Sequence, residues 1–162
     1  MTKERFKILF DAYFDDIRRY LYYRSGDTDI STDIAQDTFM RIWEKQLDLV
    51  PGKDVGLLYK IAGDLFVSHI RRDRLSRVIK NELKLEVRVE TPEESLNYKE
   101  LKNSYEKALM NLTEKQRIVF LMSRMEQLTY KEIANRLIIS IKAVEKRMSG
   151  ALALLRKEMK TR

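Results

Sequence analysis

The sequence lacks cysteine altogether and has a single histidine, His69, in 162 residues. Without cysteine the chain has neither a disulfide framework nor a thiolate metal site. One histidine is too few for a histidine-rich zinc site and for most histidine-dependent acid–base schemes. Glycine and proline are also scarce, with 5 and 2 copies, and alternating strand-like runs are rare. The sequence therefore predicts an all-α fold, and we expect no cofactor.

Long apolar runs are missing as well. No stretch approaches the roughly 20 apolar residues that a helix needs to cross a bilayer. The first residues are interrupted by Lys3, Glu4, Arg5 and Lys7, so we expect no signal peptide. A cytoplasmic protein with no direct membrane insertion is the expectation.

Charge, by contrast, is abundant. The chain has 32 Lys and Arg against 25 Asp and Glu, a net charge of +7. This balance favours a polyanionic partner, although many basic proteins bind none. Hydrophobic residues make up 44% of the chain, enough for a globular core, and this length suits one domain or two small ones.

The stretch 128–157 has the pattern of two amphipathic helices joined by a tight corner at Ile138 and Ile139. Thr129 and Glu132 are spaced as a capping box for the first helix, and Ser140 is placed to cap the second. Apolar residues of the second helix recur at three- and four-residue spacing: Ile141, Val144, Met148, Ala151, Leu152 and Leu155. The opposite side carries a polar row of Lys142, Glu145, Lys146 and Ser149.

A helix-turn-helix whose second helix enters the DNA major groove has this pattern. Amphipathic helices with lysines are also common in proteins that bind no DNA. Residues 140–162 contain seven Lys and Arg against two Glu, a net of +5. Because phosphate attraction supplies much of nucleic-acid affinity, this excess favours DNA binding.

Hydrophobic periodicity predicts five further helices. They cover about 3–24, 32–46, 55–78 and 91–110, with a fifth after a capping box formed by Thr113 and Gln116. The helix at 91–110 should begin at Thr91 and bury an apolar side that includes Leu101, Tyr105 and Leu109. The aromatic stripe of the first helix is expected to lie in the core.

Two of these helices carry polar stripes. The second has an acidic one: Asp33, Gln36, Asp37, Met40 and Glu44. It is either a solvated face or a docking surface for a basic or amide-rich partner helix. The third helix has a polar stripe of mixed charge that ends in cations: Lys60, Asp64, Ser68, Arg71 and Arg72. Basic residues at the end of a helix often only keep a protein soluble. Because these cations extend a polar stripe, a contact with a nucleic-acid backbone is at least as well supported as a role in solubility.

Short motifs in both halves carry a family resemblance. Residues 33–39 (DIAQDTF) and 41–44 (RIWE) fit the pattern D-hydrophobic-x-Q-acid-x-F followed by R-hydrophobic-W, and 58–62 and 69–72 fit the helix that comes next. Residues 112–117, 130–134 and 144–147 fit a second domain. In this order, the motifs resemble a bacterial RNA polymerase sigma factor of the extracytoplasmic-function group, in the sigma-70 family. The resemblance covers nearly the whole chain.

The resemblance implies two small helical domains and their partners. Residues 1–79 would form a sigma-two-like domain and 98–162 a sigma-four-like domain, joined by a linker at 80–97. The partners would be core RNA polymerase, through the clamp helices of its largest subunit and its flap region, and promoter DNA. The resemblance also implies an anti-sigma factor, commonly linked to the membrane, that covers these binding faces.

The resemblance also assigns residues to each contact. Polymerase would be bound by Asp33, Gln36, Asp37 and Met40. The element near −10 would be held melted by Lys60, Asp64, Ser68, Arg71 and Arg72, with an unstacked base trapped in a pocket. The element near −35 would be bound by Lys142, Glu145, Lys146, Arg147, Ser149 and Arg156. Of these, Arg147 and Arg156 would touch phosphates and the others would face the groove.

The sequence departs from the family pattern at three places. Leu57 stands where a tryptophan is common, and Asp64 stands where asparagine is frequent, which puts a negative charge near the DNA. Ile138 stands where members often have glycine. Because a β-branched residue disfavours positive φ, the corner is expected to have a different geometry here.

Three functions compete at this point. The first is a transcription initiation factor that gives core polymerase its promoter specificity and catalyses nothing itself. The alternative is a stand-alone helix-turn-helix DNA-binding regulator, which would not need the acidic stripe. A nuclease is a distant third, since the carboxylates of the second helix have no accompanying histidine or glycine-rich loop.

Overall fold

The structure is a computed structural model that describes residues 1–76 and 96–160, and in those residues it contains only helices and their connections. In chain order the helices are α1 (Lys3–Ser25), α2 (Thr28–Glu44), α3 (Val55–Ser76), α4 (Leu96–Asn111), α5 (Glu114–Glu126), α6 (Tyr130–Leu137) and α7 (Ile141–Lys160). The all-α prediction is confirmed. The helix start predicted at Thr91 lies outside the described residues.

The boundary between α1 and α2 differs from the prediction by four residues. Gly26 ends α1 in the left-handed conformation, at φ 66°, and Asp27 follows at once as the N-cap of α2. The Asp27 carboxylate accepts from the Ile30 backbone N–H at 3.0 Å. The hydroxyl of Thr32, where the helix was expected to begin, donates to the Thr28 carbonyl at 2.9 Å inside the helix. A better cap placed earlier therefore starts the helix.

Side-chain caps also start α5 and α6. The capping box of α5 is confirmed, because Thr113 and Gln116 each accept from the other's backbone N–H, at 3.2 and 3.1 Å. The box of α6 is only half formed. Thr129 accepts from the Glu132 N–H at 3.2 Å, but the Glu132 carboxylate accepts from the Thr129 hydroxyl rather than from its backbone.

Helices α1, α2 and α3 form the amino half, in which an aromatic cluster lies between α1 and α2. Phe39 of α2 is fully buried, and three aromatic rings of α1 surround it. The ring centroids of Phe6, Phe10 and Phe14 lie 6.4, 5.2 and 5.8 Å from that of Phe39, mostly edge to face. This is the geometry that aromatic pairs prefer. The predicted aromatic stripe of α1 therefore lies in the core.

Helices α4 to α7 form the carboxy half, in which α7 packs against the other three. Its buried residues Val144, Met148 and Ala151 were predicted, but Ile141 is exposed. Ile141 is the first residue of α7, and the buried residues of this helix lie further along it. On α4 the prediction for Leu101 is also wrong, since this side chain is 55% exposed.

The corner between α6 and α7 takes the glycine-like geometry despite its β-branched residue. Ile138 has φ 54° and ψ 51°, in the left-handed region, and its N–H donates to the Ala134 carbonyl. The expectation of a different corner is therefore wrong. Left-handed backbone costs a residue with a Cβ about 1–2 kcal/mol, which the surrounding contacts must offset. Ser140 then caps α7 as predicted, accepting from the Ala143 N–H at 3.0 Å.

The two halves touch where α1 lies against α5 and where α3 lies against α6. We call these two contacts together the seam. In the part of the chain that the structure describes, we find no helix long and apolar enough to span a membrane.

Candidate functional site

The predicted polymerase-binding residues share one exposed side of α2. We call Asp33, Gln36, Asp37 and Met40 the α2 row; all four are exposed, on the side opposite the buried Ile42. Met40 is 56% exposed and lines a shallow groove of about 270 Å³ with Lys3, Phe6 and Trp43. An acidic surface that continues into an apolar groove offers a partner helix both charge and buried area.

The predicted −10 residues share one side of α3. We call Lys60, Asp64, Ser68, Arg71 and Arg72 the α3 row; all five are exposed, opposite the buried Phe66. Steps of three and four residues keep them on one face. Lys60 and Asp64 also line a cleft of about 470 Å³ that reaches α6. The row therefore begins at the seam between the halves and runs along α3 away from it.

The predicted −35 residues lie on α7 but are less uniform. Lys142, Glu145, Lys146 and Ser149 are exposed opposite the buried Val144, as a groove-reading face requires. We call these four the α7 row. Arg156 is exposed seven residues after Ser149, which is about 10 Å further along the helix. Arg147 is half-buried. The three rows thus lie on three different helices.

A polar network that the sequence did not predict crosses the seam between the halves. Arg136 of α6 donates to the Asp16 carboxylate at 2.9 Å and to the Tyr59 hydroxyl at 2.8 Å. Asp16 of α1 also accepts from Arg19. The side chains of Asp16 and Arg136 are only 19% and 17% exposed. Charge-assisted bonds between groups so poorly solvated are strong ones.

A second part of this network centres on Glu126, at the end of α5. Its carboxylate accepts from Arg19 at 3.4 Å and from the Tyr23 hydroxyl at 3.1 Å. Burial raises the pKa of the Glu126 carboxyl, and the Arg19 charge opposes that rise. Burial also raises the pKa of Tyr23 and of Tyr59, so both phenols stay protonated at neutral pH, where Tyr23 donates to Glu126 and Tyr59 accepts from Arg136.

Arg117 is the most deeply buried charged residue of the described part of the chain, at 5% exposure. Its Nε donates to the Tyr23 carbonyl at 2.9 Å, linking α5 to the end of α1. Burial lowers the pKa of Arg117, but a guanidinium that starts above 12 remains charged. Beside it, Arg24 of α1 pairs with Glu114 of α5.

Sequence-based prediction missed this network because its partners lie far apart in the chain. Arg117 and Tyr23 are 94 residues apart, and Arg136 and Asp16 are 120 apart. Helical spacing relates residues three and four apart and carries no information about such pairs. One local signal existed: Arg136 falls between the apolar Ala134 and Leu137, next to the buried side of α6.

Acidic residues in the described ranges do not converge as a metal-binding site would require. Within 1–76 and 96–160, no group of three or more His, Asp or Glu side chains lies close enough to hold a metal ion. The carboxylates of the α2 row therefore give no support to a metal-dependent nuclease.

Comparison with known proteins agrees with the two-part arrangement. Residues 9–76, which cover most of α1 and all of α2 and α3, match the family described as Sigma-70 region 2. Residues 102–155, from α4 into α7, match Sigma-70, region 4. The chain is 30% identical over 149 residues to the ferric citrate uptake sigma factor FecI of Escherichia coli strain K12, covering 91% of this chain and 86% of FecI. It is 25% identical over 170 residues to the ECF RNA polymerase sigma factor SigW of Bacillus subtilis strain 168, covering 98% and 90%.

The chain belongs to the sigma-70 family, in its extracytoplasmic-function group. It is a transcription initiation sigma factor. A solved structure supports the fold: the sigma factor RpoE of Bartonella quintana, in complex with the anti-sigma factor NepR, superposes with a TM-score of 0.69 at 22% identity, covering 96% of this sigma factor and 97% of RpoE. In this sigma factor the α2 and α3 rows fall in the region 2 match and the α7 row in the region 4 match.

Proposed function

We propose that this sigma factor binds core RNA polymerase and directs it to specific promoters in the cytoplasm, without catalysing a reaction itself. In this proposal domain 1–79 docks on polymerase and melts the −10 element, domain 98–162 reads the −35 element, and 80–97 joins them. The observation that carries the proposal is the α2 row. A stand-alone regulator would use α6 and α7 but has no use for an exposed acidic row beside an apolar groove on another helix.

Each row is suited to the partner that we propose for it. The α2 row would meet the clamp helices of the largest polymerase subunit, with Met40 and its groove supplying apolar area. The α3 row would hold single-stranded DNA, since exposed cations spaced along one helix face can follow a phosphate backbone. The carboxy domain would also lie against the flap region of polymerase.

The α7 row would read bases in the major groove. A lysine can donate to guanine O6 and N7, and a glutamate can accept from cytosine N4, so Lys142, Glu145 and Lys146 together can distinguish base pairs. Exposed Arg156 and half-buried Arg147 would instead position the helix through phosphates, which carry no sequence information. We further propose, on family membership alone, that an anti-sigma factor covers these faces.

Purified protein should give core polymerase the ability to start transcription at defined sites. The test is in vitro transcription from pooled genomic fragments, with and without this sigma factor, followed by mapping of the 5′ ends. New starts should share an upstream motif near −35 and another near −10. If omission of the protein leaves the mapped starts unchanged, the proposed function is wrong.

Replacing one base-reading side chain should relax promoter choice. Lys146→Ala should reduce discrimination between the preferred −35 element and a single-base mismatch about tenfold, because one base contact contributes roughly 1–3 kcal/mol of selectivity. The measurement is binding of duplex variants at fixed salt. Lys160→Ala, which removes the same charge from the last turn of α7, should leave the selectivity ratio unchanged. An unaltered ratio for Lys146→Ala would remove this residue from the base-reading set.

A further inference from the structure

Helix α7 begins with an exposed apolar side chain. Ile141 is the first residue of the helix and is 45% exposed, between the exposed Ser140 and Lys142. The buried residues of α7 lie further along it, from Val144 onwards. Single exposed apolar residues are common on protein surfaces, so exposure alone assigns no role to Ile141. The direction of its side chain and the residues beside it do.

Hydrogen bonds at the start of α7 fix the position of Ile141. The Ser140 hydroxyl accepts from the Ala143 N–H at 3.0 Å, and the Ser140 carbonyl accepts from the Val144 N–H at 3.1 Å. The first turn of the helix is therefore capped and closed. In an α-helix every Cα–Cβ bond tilts towards the N-terminus. The Ile141 side chain thus leans towards the N-terminal end of α7, where no earlier turn of this helix covers it.

A helix-turn-helix places this end of its second helix against base edges. Lys142 follows Ile141 directly, and Glu145 lies four residues later, which makes Glu145 a neighbour of Ile141 along the helix. Both neighbours belong to the α7 row, which reads bases in the proposed function. Isoleucine has no donor or acceptor for the polar edge of a base. The apolar group that the major groove presents is the C5-methyl group of thymine.

The two isoleucines before this position have contacts elsewhere. Ile138 is exposed, but a Cβ atom built on Gly56 would lie 2.8 Å from its Cγ1 atom, so part of its side chain lies against α3. Ile139 packs against the core. Ile141 is therefore the isoleucine of this corner that the recognition helix itself carries towards DNA.

We propose that Ile141 reads a thymine of the −35 element by packing against its C5-methyl group. This contact rests on the proposed function, in which the α7 row enters the major groove. It adds an apolar contact to the polar ones of the row. The charges of Lys142 and Lys146 attract the phosphates of any sequence, whereas a methyl contact favours one base.

Deoxyuridine allows a test that changes only the DNA. It lacks the C5-methyl group of thymidine and pairs with adenine in the same way. Each thymine of the −35 element, on either strand, is replaced in turn in a promoter found by mapping transcription starts. Binding of core polymerase carrying this sigma factor is then measured by competition at fixed salt. One replacement should weaken binding about fourfold, the effect of leaving one methyl-sized group unburied.

A variant of the protein shows whether Ile141 makes that contact. Ile141→Ala removes the side chain beyond Cβ and inserts a strong helix former, so α7 should still form. It should bind the thymine and deoxyuridine promoters equally. Ile141→Val, which keeps a branched side chain, should retain about a twofold preference for thymine. If Ile141→Ala fails to fold by circular dichroism, the valine variant decides, and an unreduced preference would count against the contact.

Leu101→Ala is the matched control. It also truncates an exposed apolar side chain of the carboxy half, but on α4 rather than α7. It should keep the full preference for thymine, because Leu101 lies outside the recognition helix. A loss of the preference in this control equal to that in Ile141→Ala would mean that the effect is not specific to Ile141.

Two further results would overturn the proposal. One is a −35 element in which no methyl group affects binding, and the other is an Ile141→Ala variant that keeps the full preference for thymine. Both can occur while the unmodified protein still directs polymerase to promoters, so they count against Ile141 alone. A protein that leaves the mapped start sites unchanged would instead show that the proposed function is wrong, and the Ile141 contact with it.

Discussion

Reversing both acidic charges of the α2 row should weaken binding to core RNA polymerase roughly a hundredfold. Asp33→Lys combined with Asp37→Lys would turn attraction to a basic or amide-rich partner helix into repulsion, and like charges at an interface cost several kcal/mol. About 2.7 kcal/mol corresponds to a hundredfold change. Both residues are exposed on α2, so the fold should tolerate the change. Titration of labelled protein with core polymerase measures the affinity.

A control variant with the same total charge change shows whether the effect depends on the α2 row or only on net charge. Asp15→Lys combined with Glu100→Lys also reverses two exposed carboxylates, one on α1 and one on α4. Asp15 has a surface ion pair with Arg18 at 3.3 Å, and such pairs contribute little. This control should bind polymerase within about twofold of the unmodified protein. Equal affinities for the two double variants would mean that the α2 row is not the docking surface.

Removing the guanidinium of Arg117 should lower the free energy of unfolding by about 2 kcal/mol. Arg117→Met keeps most of the side-chain volume but leaves the Tyr23 carbonyl without its donor, and hydrogen bonds to charged groups contribute about 1.5–3 kcal/mol. Tyr23 is itself only 5% exposed, so water cannot readily replace the lost bond. Urea denaturation followed by circular dichroism gives the value.

The exposed Arg124 offers a comparison on the same helix. Arg124→Met should change the free energy of unfolding by less than about 0.5 kcal/mol, as surface substitutions usually do. The loss of unfolding free energy for Arg117→Lys should lie between the losses for Arg117→Met and Arg124→Met. The lysine ammonium can donate to the Tyr23 carbonyl but fills the site less well than the guanidinium. A loss at Arg117 no greater than that at Arg124 would show that the bond to Tyr23 contributes nothing.

Much of the fold follows from short-range rules. The capping box of α5 and the buried Val144, Met148 and Ala151 of α7 were predicted from spacings of three and four residues, and local sequence decides both. The same rules failed at the start of α2, where Asp27 caps a helix that begins four residues before the predicted Thr32. They also failed for Leu101 of α4, which has the apolar spacing of a buried residue but is exposed.

The candidate site was predicted only in part, for a different reason. Exposure of the three rows follows from amphipathicity, because side chains opposite a buried face must lie in solvent. The geometry at Ile138 was predicted wrongly, since tertiary contacts overrode the preference of a β-branched residue. The seam could not be predicted from one sequence, because nothing local relates Arg136 to Asp16.

The amino half is synthesised well before the residues of α6 that contact it. Residues 1–76 contain all of α1, α2 and α3, whereas Arg136 lies in α6, far closer to the end of the chain. At about 5–20 residues per second, synthesis of the segment between Ser76 and Arg136 takes roughly 3–12 seconds. Small helical domains fold in microseconds to milliseconds. Each new molecule therefore presents a folded amino half to the cell for several seconds before Arg136 and the rest of α6, which pack against it, have been made.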